Sequence, residues 1–359
     1  MSLPINNLVE ALQASRIQLE STINDPSNYQ KMTGTLNWLF SAQNPVTIQT
    51  EMGSASRDGK YKPVQISYLP KKGNTDVISS SASLNCDKTA MRRELVNTYN
   101  PTLFAGDKFT IEESILREGS MDTLVQRMSI EMRDAMRNIR EQINTGIFSA
   151  ASSVIGSNPA AGTSKGAYTT INLLNADTTV SADAFDDIKI HQEDNYMSGP
   201  AGMIGLGKAR KYFNRLAVGS ASDGGVDINS VFEQYGMVLF KDSDTTAVLG
   251  NADNVLVMYP GLAQFYSYNF YDNADMAPSV TNSIIKTTVT DPIYPQLKYD
   301  YKLKYDDGCT TGNGKQGAWV GTLSVDYDLW TVPEEAFGEG YSDNLTDFNG
   351  IVGYTVTQS

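Results

Sequence analysis

Apolar and polar residues alternate at helical spacing over one long stretch without proline, residues 120–151. Its apolar positions recur at steps of three or four: Met121, Leu124, Val125, Met128, Met132, Met136, Ile139, Ile143 and Ile147. Charged residues occupy the other faces, which predicts one amphipathic helix with Ser120 as its N-cap. At 1.5 Å per residue this helix is about 45 Å long. No strict heptad seam runs through it, so we expect it to pack on a sheet rather than form a coiled coil.

The chain before this helix is predicted to be partly extended. A short helix is predicted over 3–24, and Trp38, Leu39 and Phe40 are expected to be buried. Residues 51–93 have little helical periodicity and several Gly, Pro and Asn turn signals, which predicts an extended β arm. Strands are predicted there at 64–69 and 76–83, and another near 108–111.

The chain after the long helix mixes short helices and strands and then becomes mainly β. A second helix, capped by Ser181, is predicted to contain Phe185, Ile188 and Gln192, and further helices are predicted at 208–216 and 227–235. The predicted strands are at 168–173, 202–206, 237–240, 255–258, 279–291, 296–306, 316–332 and 351–356. The strand at 316–332 is the clearest, because apolar and polar residues alternate through it. This order predicts an α+β protein.

Charge is unevenly distributed along the chain. Residues 151–359 hold 12 basic and 25 acidic residues, and so account for the whole net charge of -13. The predicted arm is basic, with eight Lys and Arg against three Asp within 57–93. A basic arm on an acidic body could dock on a neighbouring copy, although a solvated hairpin explains the charge equally well. The pI near 4.6 argues against nucleic-acid binding as the main activity. We therefore take these residues as candidates for contacts between subunits: Arg57, Lys60, Lys62, Lys71, Lys72, Arg92 and Arg93.

Catalytic and metal-binding patterns are weak. Residues 162–166 match G-x-S-x-G, but a nucleophile elbow should follow a strand and open a helix, whereas these residues follow a polar loop and precede a strand. The one histidine, His191, is expected on a polar helix face. Cys86 and Cys309 are far apart, and adjacent acidic pairs such as Asp186-Asp187 are typical of solvated surface. We expect no catalytic residue, no metal and no cofactor, and hence not an enzyme.

Neither a membrane span nor a secretion signal is expected. No run of eighteen apolar residues occurs, and the first residues lack a basic region followed by a long apolar run. Synthesis in a reducing cytoplasm is the expectation that follows.

Three passages carry a resemblance to a known family. They are MRDAMRNIREQINTGIFSAASS within 132–153, AFDDIKIHQEDNYMSGPAGMIGLGKARKYFNRL within 184–216, and EQYGMVLFKDSD with the later NVLVMYPGLAQFYSYNF within 233–270. Together with the order of the predicted parts, they resemble the major capsid proteins of tailed bacteriophages, which have the Hong Kong 97-type fold. The resemblance covers most of the chain and rests on order and composition, because no invariant motif marks this family.

The resemblance implies a Hong Kong 97-like division of the chain. It implies an N-terminal arm at 1–50, an extended β hairpin (the E-loop) at 51–93, and a peripheral domain at 94–174 with its spine helix at 120–151. An axial domain at 175–278 follows, and residues 279–359 return to the peripheral sheet and form the C-terminal tail.

The implied function is the shell of a tailed double-stranded DNA phage, built from pentamers and hexamers that enclose the genome. It would be assembled in the bacterial cytoplasm, located in the virion, and would bind DNA without sequence specificity. A portal and head-decoration proteins are further implied partners. Residues 1–24 are too short for the scaffolding segment of many members, which implies a separate scaffolding protein or none.

Two other functions remain open from the sequence. An encapsulin-type bacterial compartment uses the same fold around protein cargo. A secreted, Tyr-rich carbohydrate-binding protein would suit the long C-terminal strands and the 19 tyrosines, but would require a secretion signal.

Overall fold

The structure of the chain is a computed structural model, which describes most of its helices and strands and many of the segments that connect them. The described residues are 31–42, 44, 64–68, 95–99, 101–112, 121–174, 183–195, 197, 199–205, 236–269, 279–281, 284–306, 310–311, 314–315, 318–333 and 347–358. The helices predicted at 3–24, 208–216 and 227–235, the strand predicted at 76–83 and the predicted cap Ser181 lie outside these residues.

The chain divides into two compact units. The first contains Pro101–Asn144 and Tyr266–Asp328, and the second contains Met32–Asn100, Thr145–Phe265 and Leu329–Ser359. With both helices and sheets in one chain, the predicted α+β class is confirmed.

The larger sheet has six strands and belongs mainly to the first unit. Its order is β3-β14-β11-β10-β9, and β8 also pairs with β14. Its strands are β3 (Leu103–Glu112), β8 (Ala263–Tyr268), β9 (Ser279–Thr281), β10 (Ile284–Thr290), β11 (Lys298–Asp306) and β14 (Ala318–Thr331). The long strands predicted at 296–306 and 316–332 are confirmed as β11 and β14, whereas the single strand predicted at 279–291 is two strands, β9 and β10, which pair antiparallel with each other.

One face of this sheet is an apolar layer. Register places Phe109, Gly321, Leu303 and Ile285 in one row across β3, β14, β11 and β10, and the side chains of this row are buried. Gly321 is required in this row because a Cβ there would overlap the ring of Phe109. Alternation at period two thus separates a core face from an outer face.

The predicted long helix is confirmed as Met121–Ser153. The predicted stripe is buried from Met128 onward, with Met128, Met132, Met136, Ile139, Ile143 and Ile147 each at most 1% exposed, and Val125 is half-buried. Within the first unit, Asn138 donates a hydrogen bond to Asp107 on β3 (2.8 Å), and the Tyr327 hydroxyl on β14 donates to the Gln142 carbonyl (3.3 Å). These contacts hold the helix to the sheet residues on which it lies.

The second unit has its own five-stranded mixed sheet, in the order β4-β15-β7-β5-β6. Its strands are β4 (Tyr168–Leu174), β5 (Ala201–Gly205), β6 (Met237–Phe240), β7 (Asn254–Met258) and β15 (Ile351–Gln358). Apolar residues of these strands form one buried cluster with Ile188 and Phe348. In the described part of this unit, short helices accompany the sheet at Gly34–Leu39, Asp183–Asp194 and Thr245–Leu249, together with the 3-10 turn Pro159–Ala161.

Two hairpins complete the described strands. β1 (Val64–Tyr68) pairs antiparallel with β2 (Leu95–Tyr99), and β12 (Thr310–Thr311) pairs with β13 (Gly314–Lys315). The strand predicted at 64–69 is confirmed, and its described partner lies just beyond the predicted E-loop boundary at residue 93.

The last strand is not part of the six-stranded sheet. β15 pairs parallel with β4 and antiparallel with β7, in the five-stranded sheet, whereas residues 279–331 form strands of the six-stranded sheet. Residue alternation predicts a strand and its buried face, but not which distant strand it joins. The proposed division into domains remains a prediction.

Candidate functional site

The basic residues predicted to contact other subunits all belong to the arm. Arg57, Lys60, Lys62, Lys71, Lys72, Arg92 and Arg93 lie outside the described residues. Only the backbone pairing at the base of the arm is described, five residue pairs between β1 and β2. These seven residues therefore remain predicted contacts.

The G-x-S-x-G sequence does not form a nucleophile elbow. Gly162 ends the 3-10 turn Pro159–Ala161 in a left-handed conformation (φ 66°), and Ser164 is exposed in the loop that leads into β4. An elbow requires a strand before the serine and a helix after it. The loop has the reverse arrangement, as the sequence predicted.

His191 corrects the prediction that it lies on a polar helix face. It is half-buried on the helix Asp183–Asp194, with its ring nearly parallel to that of Tyr354 (centroids 6.2 Å apart, 9° between planes) and its Nδ1 3.5 Å from the Tyr354 hydroxyl. The reason is helical spacing, because position 191 shares the face of buried Ile188. Burial lowers the pKa of His191, while the carboxylates of Asp187 and Asp194 act in the opposite direction.

The described part of the chain holds no group of three or more His, Cys, Asp or Glu that could bind a metal ion. Asp186 and Asp187 are exposed on their helix, as expected of solvated surface. Cys86 and Cys309 lie outside the described residues. Among the described helices, none is both long and apolar enough to cross a membrane.

A buried ion pair joins the long helix to the turn after β10. Arg140 Nη1 lies 3.2 Å from Asp291 Oδ1 and 3.4 Å from Oδ2. The same carboxylate accepts hydrogen bonds from the backbone N–H groups of Ile293 (2.8 Å) and Tyr294 (3.0 Å) and from the Tyr299 hydroxyl (2.7 Å). Burial above all, and then the Asp291 charge, raise the pKa of Tyr299 well above its ordinary value. These contacts close the turn after β10 and tie it to the long helix.

A second buried polar network lies in the second unit. Asn195 donates to the Asn158 side-chain oxygen (2.9 Å), and Asn158 donates to the Tyr354 hydroxyl (3.2 Å). Asn195 also accepts a hydrogen bond from the Ala160 N–H (3.2 Å). Burial raises the pKa of nearby Tyr259 to about 12, while the side chains of Asn195 and Tyr354 act in the opposite direction. These groups tie the loop before β4 to β15 and to the end of the helix Asp183–Asp194.

Sequence reasoning singled out neither network. Arg140 and Asp291 are 151 positions apart, and Asn158 and Tyr354 are 196 apart. Residue type alone gives no signal for such pairings, because the two partners are far apart in the sequence and come together only in the fold. Both networks hold distant segments of one unit together, because each polar group binds another part of the same unit.

No protein-family model and no curated protein sequence matches this chain. Solved structures do resemble it. The capsid of cyanophage P-SCSP1u is 9% identical, with 94% of this chain and 92% of that chain covered and a TM-score of 0.45. A structure from Mycobacterium phage Adephagia is 8% identical over 96% and 98%, with a TM-score of 0.45. A virus-like particle from Pyrococcus furiosus is 10% identical over 96% and 98%, with a TM-score of 0.40.

Proposed function

We propose that this chain is the major capsid protein of a tailed double-stranded DNA bacteriophage. In this role it assembles into pentamers and hexamers of an icosahedral head that encloses the genome. Its task is structural, without a catalytic step or a cofactor. Its location is the virion capsid, and assembly takes place in the cytoplasm of the bacterial host.

The observation that carries the proposal is the order in which the structural parts follow along the chain. The hairpin β1-β2 precedes the helix Met121–Ser153, whose residues in the first unit contact a six-stranded antiparallel sheet. A second unit with its own five-stranded sheet is formed mainly by later residues. The capsid family named above has the same order of hairpin, spine helix and axial domain.

The physical demands on a shell subunit support this role. A shell subunit must keep its shape while it contacts several neighbours. The 33-residue helix, whose apolar stripe is buried from Met128 to Ile147, is a stiff element of this kind. The Arg140–Asp291 pair reinforces it, since both side chains are at most 5% exposed. Polar surface loops then provide contacts that tolerate the different geometries of pentamers and hexamers.

The arm is proposed to reach a neighbouring copy. Its excess of five positive charges within 57–93 would be attracted to the acidic residues in 151–359 of that copy. Arg57, Lys60, Lys62, Lys71, Lys72, Arg92 and Arg93 are the proposed contacts. A separate scaffolding protein, a portal and decoration proteins complete the proposed set of partners.

Negative-stain electron microscopy of the protein, expressed alone and then with its neighbouring genes, tests this function. Closed shells, or five- and six-membered rings, are expected. Particles that contain duplex DNA agree with a phage head, whereas empty or protein-filled particles obtained with a cargo gene would indicate a compartment shell instead. A monomer in both preparations, together with saturable glycan binding, would contradict the proposal.

A further inference from the structure

The outer face of the six-stranded sheet carries a row of lysines. Register places Lys286 of β10 opposite Lys302 of β11, Lys302 opposite Thr322 of β14, and Thr322 opposite Lys108 of β3. Directly opposite residues in antiparallel strands point to the same face. Lys304 shares that face because it lies two residues beyond Lys302. We call Lys108, Lys286, Lys302 and Lys304 the lysine row.

Burial confirms which face this is. The alternate residues Phe109, Ile285 and Leu303 form the core face and are at most 5% exposed, whereas Lys108, Lys286 and Lys304 are exposed and Lys302 is half-buried. Four carboxylates with described side chains share the outer face: Asp300 and Asp326 are buried, Asp328 is half-buried and Asp306 is exposed. The fully exposed charged side chains of this face are therefore mainly lysines, on a chain whose net charge is -13.

The helix Asp183–Asp194 exposes a face of opposite charge. Its exposed residues recur at steps of three and four: Asp186, Asp187, Ile190, Glu193 and Asp194. We call these five residues the acidic face. Lys189 lies 3.6 Å from Glu193 and offsets part of the charge. Ile190, in the middle of the face, is 50% exposed, while Ile188 and Gln192 on the other side of the helix are buried.

We propose that the acidic face of one copy docks on the lysine row of a second copy. The inference rests on the proposed function in taking assembly of identical chains as its setting. The lengths agree: residues 186–194 span about 12 Å of helix at 1.5 Å per residue. The lysine row spans roughly 14 Å from Lys286 to Lys108, across three strand spacings of about 4.8 Å.

The two surfaces differ, and this has a consequence for symmetry. A contact between two different patches of the same chain is heterologous, so each copy presents its acidic face to one neighbour and its lysine row to another. Repetition of such a contact closes into a ring when the rotation permits. The proposed contact thus provides head-to-tail association within a capsomer, which a self-complementary patch would not.

A protein surface is favoured over DNA as the occupant of the lysine row. Ile284 and Val320 are half-buried and lie directly opposite Lys304, one on each neighbouring strand. They would contact an apolar side chain such as Ile190. Duplex DNA would present phosphates only, and the net charge of -13 would repel it. Opposite charges with a central apolar residue are better matched by the acidic face.

Charge exchange in the full-length chain tests this pairing. The double variants K286E/K302E and D186K/D187K are each expected to lower the assembled fraction in sedimentation velocity at least tenfold. The quadruple variant that combines them restores opposite charges across the contact, and its assembled fraction is expected to return to at least half that of the original chain. Circular dichroism and thermal melting of each variant verify that the fold is kept. The control K165E/K241E reverses two exposed lysines outside both surfaces and is expected to assemble normally.

Carbodiimide crosslinking gives an independent readout. A mixture of nitrogen-14 and nitrogen-15 protein should yield links between different copies that join Lys286 or Lys302 to Asp186 or Asp187. No rescue in the quadruple variant, or links from the acidic face to Lys60, Lys62, Lys71 or Lys72 instead, would overturn the inference. Duplex DNA binding that is lost in K286E/K302E while assembly is unchanged would assign the lysine row to DNA and would also overturn the inference.

The failure of this contact and the failure of the proposed function are distinguishable. Closed shells without the predicted links would retain the shell function and overturn the contact. Rings that contain the links but never close into shells would retain the contact and argue against a phage head. A chain that stays monomeric and yields no link between copies would contradict both.

Discussion

Arg140 on the long helix and Asp291 after β10 form an ion pair at 3.2 Å with side chains only 5% and 0% exposed. Removing one partner of such a pair leaves a charge in the interior without compensation. We expect Arg140→Met to lower the free energy of unfolding by about 3–5 kcal/mol, the usual cost of breaking a buried pair. Urea unfolding of the unassembled chain, followed by fluorescence of Trp319 on β14, measures this change.

The matched control lies one turn away on the same helix. Arg137 pairs with Asp134 at 3.6 Å, and both side chains are partly exposed, at 29% and 43%. Exposed pairs contribute little, so Arg137→Met should cost no more than about 1 kcal/mol. Equal losses of unfolding free energy for the two variants would show that the charge of Arg140 contributes no more to stability than that of Arg137.

Gly202 on β5 is needed because Trp38 packs directly against its Cα. A Cβ at this position would overlap the Trp38 indole, which is fully buried. We expect Gly202→Ala to cost about 1–3 kcal/mol of stability, as is usual when a packed core must accept an extra carbon. Thermal melting provides the measurement.

A rescue variant separates overlap from a general effect of alanine in this strand. Trp38→Leu removes the ring and should be destabilising alone, since it leaves a cavity. In the double variant the new methyl partly fills that space, so its loss should be smaller than the sum of the single losses. Strict additivity would mean that Trp38 is not what restricts position 202.

The helices and strands that could be predicted from sequence are those set by the spacing of apolar residues within a short stretch of chain. The long helix follows from the spacing of Met128, Met132 and Met136, and every one of these side chains is buried. β14 follows from alternation, and its buried Leu323 and Val325 lie on the face that the pattern indicates. In both cases the residues that set the pattern are within a few positions of each other.

Strand partners and buried polar contacts could not be predicted because they depend on distant residues. β15 alternates as a strand should, yet nothing local indicates that Gly353 pairs with Tyr168. Likewise, Arg140 is one of four arginines on an amphipathic helix, and its burial follows from where Asp291 lies in the fold. His191 was misassigned for a related reason, since its ring is stacked on a strand 163 residues later.

Asn195 holds the polar network of the second unit together. It donates to the Asn158 oxygen and accepts from the Ala160 N–H, and both asparagines are at most 1% exposed. Asn195→Ala therefore removes a partner from two groups, and we expect a loss of about 1–3 kcal/mol. Denaturant titration measures it. The exposed Asn172 accepts a hydrogen bond from Thr357 (2.6 Å), so Asn172→Ala serves as the control and should change stability by less than about 0.5 kcal/mol.

The arm's charge should matter for assembly and not for folding. Replacing Lys60, Lys62, Lys71 and Lys72 by Gln removes four positive charges from the segment 57–93. If the arm reaches the acidic surface of a neighbour, the assembled fraction should fall, and its difference from the original chain should be largest in low salt, where the attraction is least screened. Sedimentation velocity at two salt concentrations tests this, with unchanged thermal melting as the control. Unchanged assembly at both salt concentrations would leave the arm as a solvated hairpin.

His191 should make stability depend on pH below neutrality. Burial lowers its pKa in the folded chain below the ordinary 6.5, so the unfolded chain binds more protons as the pH falls through 6.5. The free energy of unfolding therefore decreases from pH 7 toward pH 5, and His191→Gln should reduce that decrease. Because the chain has one histidine, proton NMR of its ring follows the titration without overlap.

The neighbouring carboxylates provide the decisive control for His191. Asp187 and Asp194 raise its pKa against the effect of burial. Asp187→Asn should therefore lower the pKa of His191 further and make the loss of stability below pH 6.5 steeper. Asp253 is not among the carboxylates that raise the pKa of His191, so Asp253→Asn should leave that pKa unchanged. A His191 pKa at or above 6.5 in the original chain would show that the carboxylates outweigh burial, and the predicted slope would then reverse.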